Sequence, residues 1–343
     1  MPADLSVELA RLVTAGGIVG TVAVPLGLVG YGASRLLGQP VWPRWRHTTG
    51  AWTGLDVLFF CGVYLVLPSL IVAGLDRGGF FQSIYGPDFP SVTTPGEGTD
   101  GRAVAVQKAG LWGVLFAAPM LAGATLLVRA VIHHRPARFV PAAVPGRVTL
   151  GVMAWVAVTP VCFAVNLLAN RLVALTGGEP DQHPLTRLGV GSDAFDQVLF
   201  GLVVCLAAPL AEEVLCRGVL LRWALARYYR PWLLLTLAIP IGLARGGPPP
   251  AVFALLLAGG WWLVVALDRG RLPIRTLAAV VATSSVFAVG HGGVWPTPVP
   301  LFVLGLALGY LAARTGDITA CIVLHGLFNA VSFVYLLRGG AGA

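Results

Sequence analysis

Residues 109–128 read AGLWGVLFAAPMLAGATLLV, an uncharged stretch held between Lys108 and Arg129. At 1.5 Å per residue, a helix over such a stretch crosses the ~30 Å hydrocarbon core of a bilayer. The pattern recurs in both directions along the chain. Uncharged runs fill Leu12–Ser34, Val57–Leu75, Val148–Asn170, Gly246–Leu267, Gly292–Ala313 and Ile318–Leu337. Three shorter runs, Gln197–Ala211, Pro231–Ala244 and Thr276–Gly290, either cross or bury part-way. Of the 343 residues, 57% are hydrophobic and only 11% charged, against about 25% charged in soluble domains. The expected fold is therefore all-α: a polytopic transmembrane helical bundle of about eight to ten spans. The first run is longer than a cleavable leader's apolar core and reads as a span.

The net charge of +8 sits between the runs, not within them. Arginines gather at Arg35, Arg44 and Arg46; at Arg129, Arg135, Arg138 and Arg147; at Arg222, Arg227 and Arg230; and at Arg269, Arg271 and Arg275. Acids take the alternate loops: Asp76, Asp88, Glu97 and Asp100, then Glu179, Asp181 and Asp193. Lys and Arg concentrated on one side is the positive-inside pattern, which places the basic loops in the cytoplasm. The basic charge then faces anionic headgroups of the lipid bilayer, and no nucleic-acid partner is expected. An Ala/Gly/Arg-rich integral membrane protein of this kind suits a bacterial inner (cytoplasmic) membrane. The five cysteines all fall in apolar runs without CxxC spacing and read as small buried hydrophobes.

Residues 1–193 read as a four-span membrane region without a recognised motif. Asp56 opens its run at the interface, and loop 76–108, rich in Gly, Pro, Ser and Thr, reads as an exposed, partly mobile excursion. From residue 194 the character changes, because polar residues enter the apolar runs. Ionisable groups at membrane depth are costly and normally face a protein interior or a wet cavity. They are Glu212, Glu213 and Arg217 within PLAEEVLCR (209–217), His291 closing one run, and His325 in the last, where the polar amide Asn329 accompanies it.

Their spacings are helical. Glu213 and Arg217 are i, i+4 and can pair on one face, as Phe287 with His291 and His325 with Asn329 share faces. Adjacent Glu212 and Glu213 point ~100° apart, so one role cannot serve both. The economical division pairs Glu213 with Arg217 as structural support and turns Glu212 toward a cavity as a candidate general base. Phe287 reads as packing that shapes the pocket. Taken together, two Glu, two His and an Asn point to a reaction site more than to interhelical glue.

The ordered motifs resemble a known family. EEVLCRG at 212–218 is similar to the EExxxR motif of CPBP proteins, the CAAX prenyl protease and bacteriocin-processing membrane proteases. FAVGH at 287–291 is similar to their FxxxH motif, and HGLFN at 325–329 to their HxxxN. The resemblance covers about residues 195–337 and extends to type II CAAX prenyl endopeptidases and bacterial relatives such as myxosortases. It implies an intramembrane endopeptidase acting on a membrane-associated protein or peptide substrate, by CAAX-type or C-terminal sorting-tail processing. On that resemblance Glu212 and His291 activate water, while His325 and Asn329 stabilise the oxyanion. The separation of Arg217 from His291 is longer than the family suggests, so 231–268 reads as an inserted hairpin within a protease core at 194–343.

Two His and a Glu are also a zinc donor set, and Glu212, His291 and His325 would be the ligands if a metal were held. No HExxH is present, and a ligating Glu212 would leave no separate base, so no cofactor is the preferred reading. GASR at 32–35 lacks the second Gly of a GxSG serine site, and GVGSD at 189–193 departs from an aspartyl GxGD. The alternative function is an ion-coupled transporter with the buried Glu and His residues as a proton relay, which would require matching broken helices in both halves. A depth question follows from the spans: His291 ends its helix opposite the start of the last span. His291 and His325 can then meet only near mid-membrane, or through a re-entrant segment.

Overall fold

The computed structural model describes residues 5–41, 52–93, 100–134, 140–179, 181, 193–267 and 273–339. Arg44, Arg46, Glu97, Arg135, Arg138, Arg269 and Arg271, on which the loop-charge reading partly rests, lie outside them. The described residues form helices and no strand. They are α1 (Leu5–Leu36), α2 (Gly54–Arg77), the short α3 (Phe80–Tyr85), α4 (Asp100–Val131) and α5 (Val144–Leu175). The long α6 (Ala194–Ala226) follows. Then come α7 (Arg230–Gly246), α8 (Pro248–Leu267), α9 (Ile274–Gly290), α10 (Pro298–Thr315) and α11 (Thr319–Gly339).

Eight of these, among the described residues, are long and apolar enough to cross a membrane, in accord with an all-α polytopic integral membrane protein. Their outward faces stay apolar: Leu28, Val29, Leu58, Leu65, Leu127, Leu256 and Trp262 are all exposed. A helix apolar all round suits lipid rather than water. Interior prolines at Pro25, Pro68, Pro119 and Pro160 interrupt α1, α2, α4 and α5. Such interruptions are tolerated in membrane helices because neighbouring groups satisfy the freed backbone.

The packing centres on α6, which touches α2, α4, α9, α10 and α11. On one flank α2 lies against α4; on the other, α5 packs between α1, α10 and α11, and α9 lies between α7 and α10. Buried side chains from both ends of the sequence join one contiguous core, from Ala15 and Trp52 through Leu215 to Leu324 and Val331. The helices ahead of residue 194 are thus packed directly onto those behind it.

Three boundaries differ from the sequence expectation, each for a physical reason. The run Gln197–Ala211 is only the first half of α6, which continues through Glu212, Glu213 and Arg217, with Glu213 and Arg217 paired inside the protein. The run Gly292–Ala313 does not begin as helix; 291–297 forms turns, and α10 starts at Pro298, a proline-favoured first position. Loop 76–108 is in large part folded. Buried Asp76 accepts hydrogen bonds from Ser91 Oγ at 2.8 Å and from the Thr93 N–H and hydroxyl, Phe81 of α3 is fully buried, and α4 already begins at Asp100. Asp56 does mark an end, as expected. It closes a capping box with Thr53 at the start of α2 and lies 3.1 Å from His133 Nε2.

Of the stretch 231–268, residues 231–267 fall in α7 and α8, an antiparallel pair reversed at Gly247 (φ 75°) ahead of three prolines, and 268 lies outside the described residues. The left-handed conformation there favours glycine. The preceding Arg245 donates from Nε to Gly290 O at 3.0 Å, tying this pair to the end of α9.

Candidate active site

Glu212 and Glu213 lie mid-way along α6, between two π-helical segments, Val203–Ala207 and Val214–Leu220. In a π turn the backbone bonds reach i+5, and such turns occur frequently at functional sites. Each segment here turns one carbonyl to a side chain from elsewhere. Asn329 Nδ2 donates to Val204 O at 2.9 Å, and Trp52 Nε1 donates to Gly218 O at 2.8 Å.

α11 can seat against the first π segment because residue 326 is glycine: a Cβ there would lie 2.5 Å from Cys205 O. A Gly326→Ala variant is therefore expected to lose about 1–3 kcal/mol through overpacking, read as a lower melting temperature in detergent. Gly259→Ala on α8, where the added carbon meets open space, is the control that should melt like the parent.

The two adjacent carboxylates have separate surroundings. Glu213 is fully buried, and its Oε1 accepts from Arg217 Nη1 at 3.0 Å and from His325 Nδ1 at 2.9 Å. Arg217, 1% exposed, also donates from Nη2 to Gly305 O at 3.3 Å, and its guanidinium lies 4.6 Å from the centre of the Phe287 ring. That is cation–π range. Phe287 touches both imidazoles edge-on, at 5.1 Å from His291 and 5.6 Å from His325. It braces three of the polar side chains at once.

Glu212 turns the other way and lines a cavity. Its Oε2 lies 3.8 Å from His325 Nε2 and 3.9 Å from His291 Nε2, outside direct hydrogen-bonding range but within reach of one shared water. This oxygen is buried without a hydrogen-bond partner among the described residues. An orphaned buried acceptor costs about 1–3 kcal/mol; Glu213 Oε2 is also without a partner, but the other oxygen of Glu213 is paired with Arg217 and His325.

The ring orientations are held from behind. His291 Nδ1 lies 2.9 Å from Phe287 O; a carbonyl only accepts, so Nδ1 carries the proton and Nε2 is presented toward Glu212. The same hydrogen bond folds the His291 ring back over the last turn of α9. His325 is oriented alike, with Nδ1–H directed at Glu213. The depth question has its geometric answer here: α9 stops at His291, and the folded-back ring meets a residue two turns into α11, beside the middle of α6.

Of the residues expected at the site, Glu212, His291 and His325 converge within 4 Å, and Glu213, Arg217 and Phe287 surround them. Asn329 lies one turn beyond His325 and is anchored on Val204. Carboxylate-backed imidazoles are also how zinc ligands are oriented. Among the described residues no group of three or more His, Cys, Asp or Glu is arranged as a metal site. The sequence reading missed Tyr64, which lines the cavity beside Glu212, and Arg245. A lone tyrosine in an apolar run carries no spacing signal.

Residues 194–278 and 270–331 match the model of a family described as Rce1-like, type II CAAX prenyl endopeptidase Rce1-like. No curated protein and no solved structure matches the chain. The match falls on the same part of the chain as the ordered motifs that resemble CPBP proteins.

Proposed function

We propose that this Rce1-like chain is an intramembrane endopeptidase in which Glu212 is the general base, hydrolysing a peptide bond of a membrane-associated protein. The single observation that carries the reading is the orphaned Glu212 Oε2 facing two imidazole Nε2 atoms. A water between them donates one hydrogen bond to Glu212 and one to His291 Nε2. Glu212 takes its proton as the oxygen attacks the scissile carbonyl, and a general base so placed contributes about 10²–10⁴ in rate.

The negative charge then forming on the carbonyl oxygen needs donors. Asn329 has a second N–H besides the one bound to Val204 O, and His325 donates from Nε2 when its ring carries both protons, with Glu213 at Nδ1 countering the charge. As the tetrahedral intermediate collapses, the proton held by Glu212 passes to the departing amine. All atoms balance with water as the only co-reactant. Asn329→Ala is expected to lower the cleavage rate by about 10²–10³, measured by initial rates on a tethered reporter.

The test is cleavage of a single-span reporter peptide by the purified protein in nanodiscs, followed by mass spectrometry of the products. Products are expected, and a zinc chelator is expected to leave their rate unchanged; loss of cleavage on chelation would move the reading to a metalloprotease. The ion-coupled carrier has less support, because the Glu212, Glu213, Arg217, His291 and His325 cluster draws on α6, α9 and α11, and no matching cluster is found in α1–α5 among the described residues.

A further inference from the structure

Both halves of α6 are pinned by helices that follow it in the chain. In the first half, Asn329 Nδ2 donates to Val204 O at 2.9 Å. Towards the other end, Arg222 Nη2 donates to Gly316 O at 3.0 Å, and Arg275 Nη2 donates to Ala226 O at 2.8 Å. Between these anchors, the directions in which Glu212 and Glu213 face depend on how the helix is wound. The π segment Val214–Leu220 sets that winding. A π turn takes in one residue more than an α turn, so losing it would rotate whatever lies beyond by ~100°. That is also the angle between two adjacent carboxylates. Wide turns of this kind are rare beside α turns, so this one needs something to hold it.

The hold comes from outside the family-matched residues, from a tryptophan that no motif marks. Trp52, 5% exposed, donates from Nε1 to Gly218 O at 2.8 Å, within the π segment. A side chain inserted into the backbone ladder keeps a helix from its regular course. The indole is itself fixed on two sides. Its ring meets Phe60 edge-on at 5.6 Å and His133 edge-on at 5.4 Å. Asp56 Oδ2 accepts from the Thr53 N–H at 2.7 Å and lies 3.1 Å from His133 Nε2, which joins the start of α2 to the end of α4. The donor therefore stands on two other helices and cannot follow α6 if it rewinds. From there the path to the imidazole is short. Gly218 follows Arg217, Arg217 Nη1 binds Glu213 at 3.0 Å, and Glu213 accepts from His325 Nδ1 at 2.9 Å. Resting on the endopeptidase reading, we infer that Trp52 is a positioning residue of this site. Its N–H holds the π turn that keeps Glu213 against His325 and leaves Glu212 facing the two Nε2 atoms.

The test replaces Trp52 with β-(3-benzothienyl)alanine, in which sulfur stands where the indole has N–H and the ring keeps its shape. Two quantities are read in nanodiscs: kcat and KM on the single-span reporter, and the nitrogen-15 signal of the His325 ring, assigned by its absence in His325→Gln. The benzothienyl protein is expected to melt close to the parent and to keep its KM. Its kcat should fall roughly tenfold or more, since small misplacements of reacting groups are costly, and its His325 signal should move as Nδ1 loses a fixed carboxylate. Trp52→Phe, which also leaves a void, should show the same two changes with a lower melting temperature. Parental kcat in the benzothienyl protein, or an unmoved His325 signal, would overturn the role of Trp52. If the parent itself cleaves no reporter, the endopeptidase reading fails, and the His325 signal alone then decides whether Trp52 positions Glu213.

Discussion

Replacing Glu212 by Gln is expected to abolish reporter cleavage, with a fall of at least about 10²–10⁴, while the protein melts no lower than the parent. The substitution keeps the shape and hydrogen-bonding capacity of the side chain and removes only its ability to take a proton. Loss of a general base therefore appears in the chemical step, and kcat should fall rather than KM rise. Stability should hold or improve because Oε2 is a buried acceptor without a partner, so its charge is not repaid within the fold. Glu212→Asp keeps the base but withdraws it from His291 and His325, now 3.9 and 3.8 Å away. A misplacement of ~1 Å is enough for about a 10² loss. An active Glu212→Gln protein would remove Glu212 from its role.

The two halves of this expectation were legible in the residues to different degrees. Charges are so rare in the apolar runs that Glu212, Glu213, Arg217, His291 and His325 stood out, and the i, i+4 interval of Glu213 and Arg217 fixed which carboxylate would be paired. The same rarity misled at the boundaries. Run-finding treats a charge as an end, so the run stops at Ala211, although Glu213 and Arg217 pair within the bundle and the helix continues to Ala226. It likewise joined the uncharged turns at 291–297 to α10. Within loop 76–108, Gly, Pro, Ser and Thr content describes chain propensity and gives no sign of the contacts made by the buried Asp76 and Phe81. Contacts between distant segments left no local trace: Glu213 with His325, Arg245 with Gly290, and the cavity wall from α2 and α4 depend on which helices become neighbours.

Arg217→Ala is expected to produce the largest loss of stability of any single substitution at this site, about 3–5 kcal/mol, seen as a large drop in melting temperature in detergent. The cause is the charge left behind. Glu213 is fully buried and would keep only His325 as a partner, and breaking one side of a buried pair costs far more than the pair contributes. The void over the Phe287 ring and the orphaned Gly305 carbonyl add to the loss. Arg217→Lys should recover part of it, since an ammonium restores the charge but cannot reproduce the guanidinium's reach to Glu213, Gly305 and Phe287 together. The decisive variant is Glu213→Gln with Arg217→Met. Removing both charges at similar volume is often neutral for stability, so this protein should melt near the parent. It should nevertheless cleave slowly, because His325 has lost the carboxylate that orients its ring; loss of such an orienting group costs up to ~10⁴ in a serine protease, and tenfold or more is expected here. Normal melting with slow cleavage would separate what the ion pair does for folding from what Glu213 does for His325. Normal melting with parental cleavage would show that Glu213 serves the fold alone.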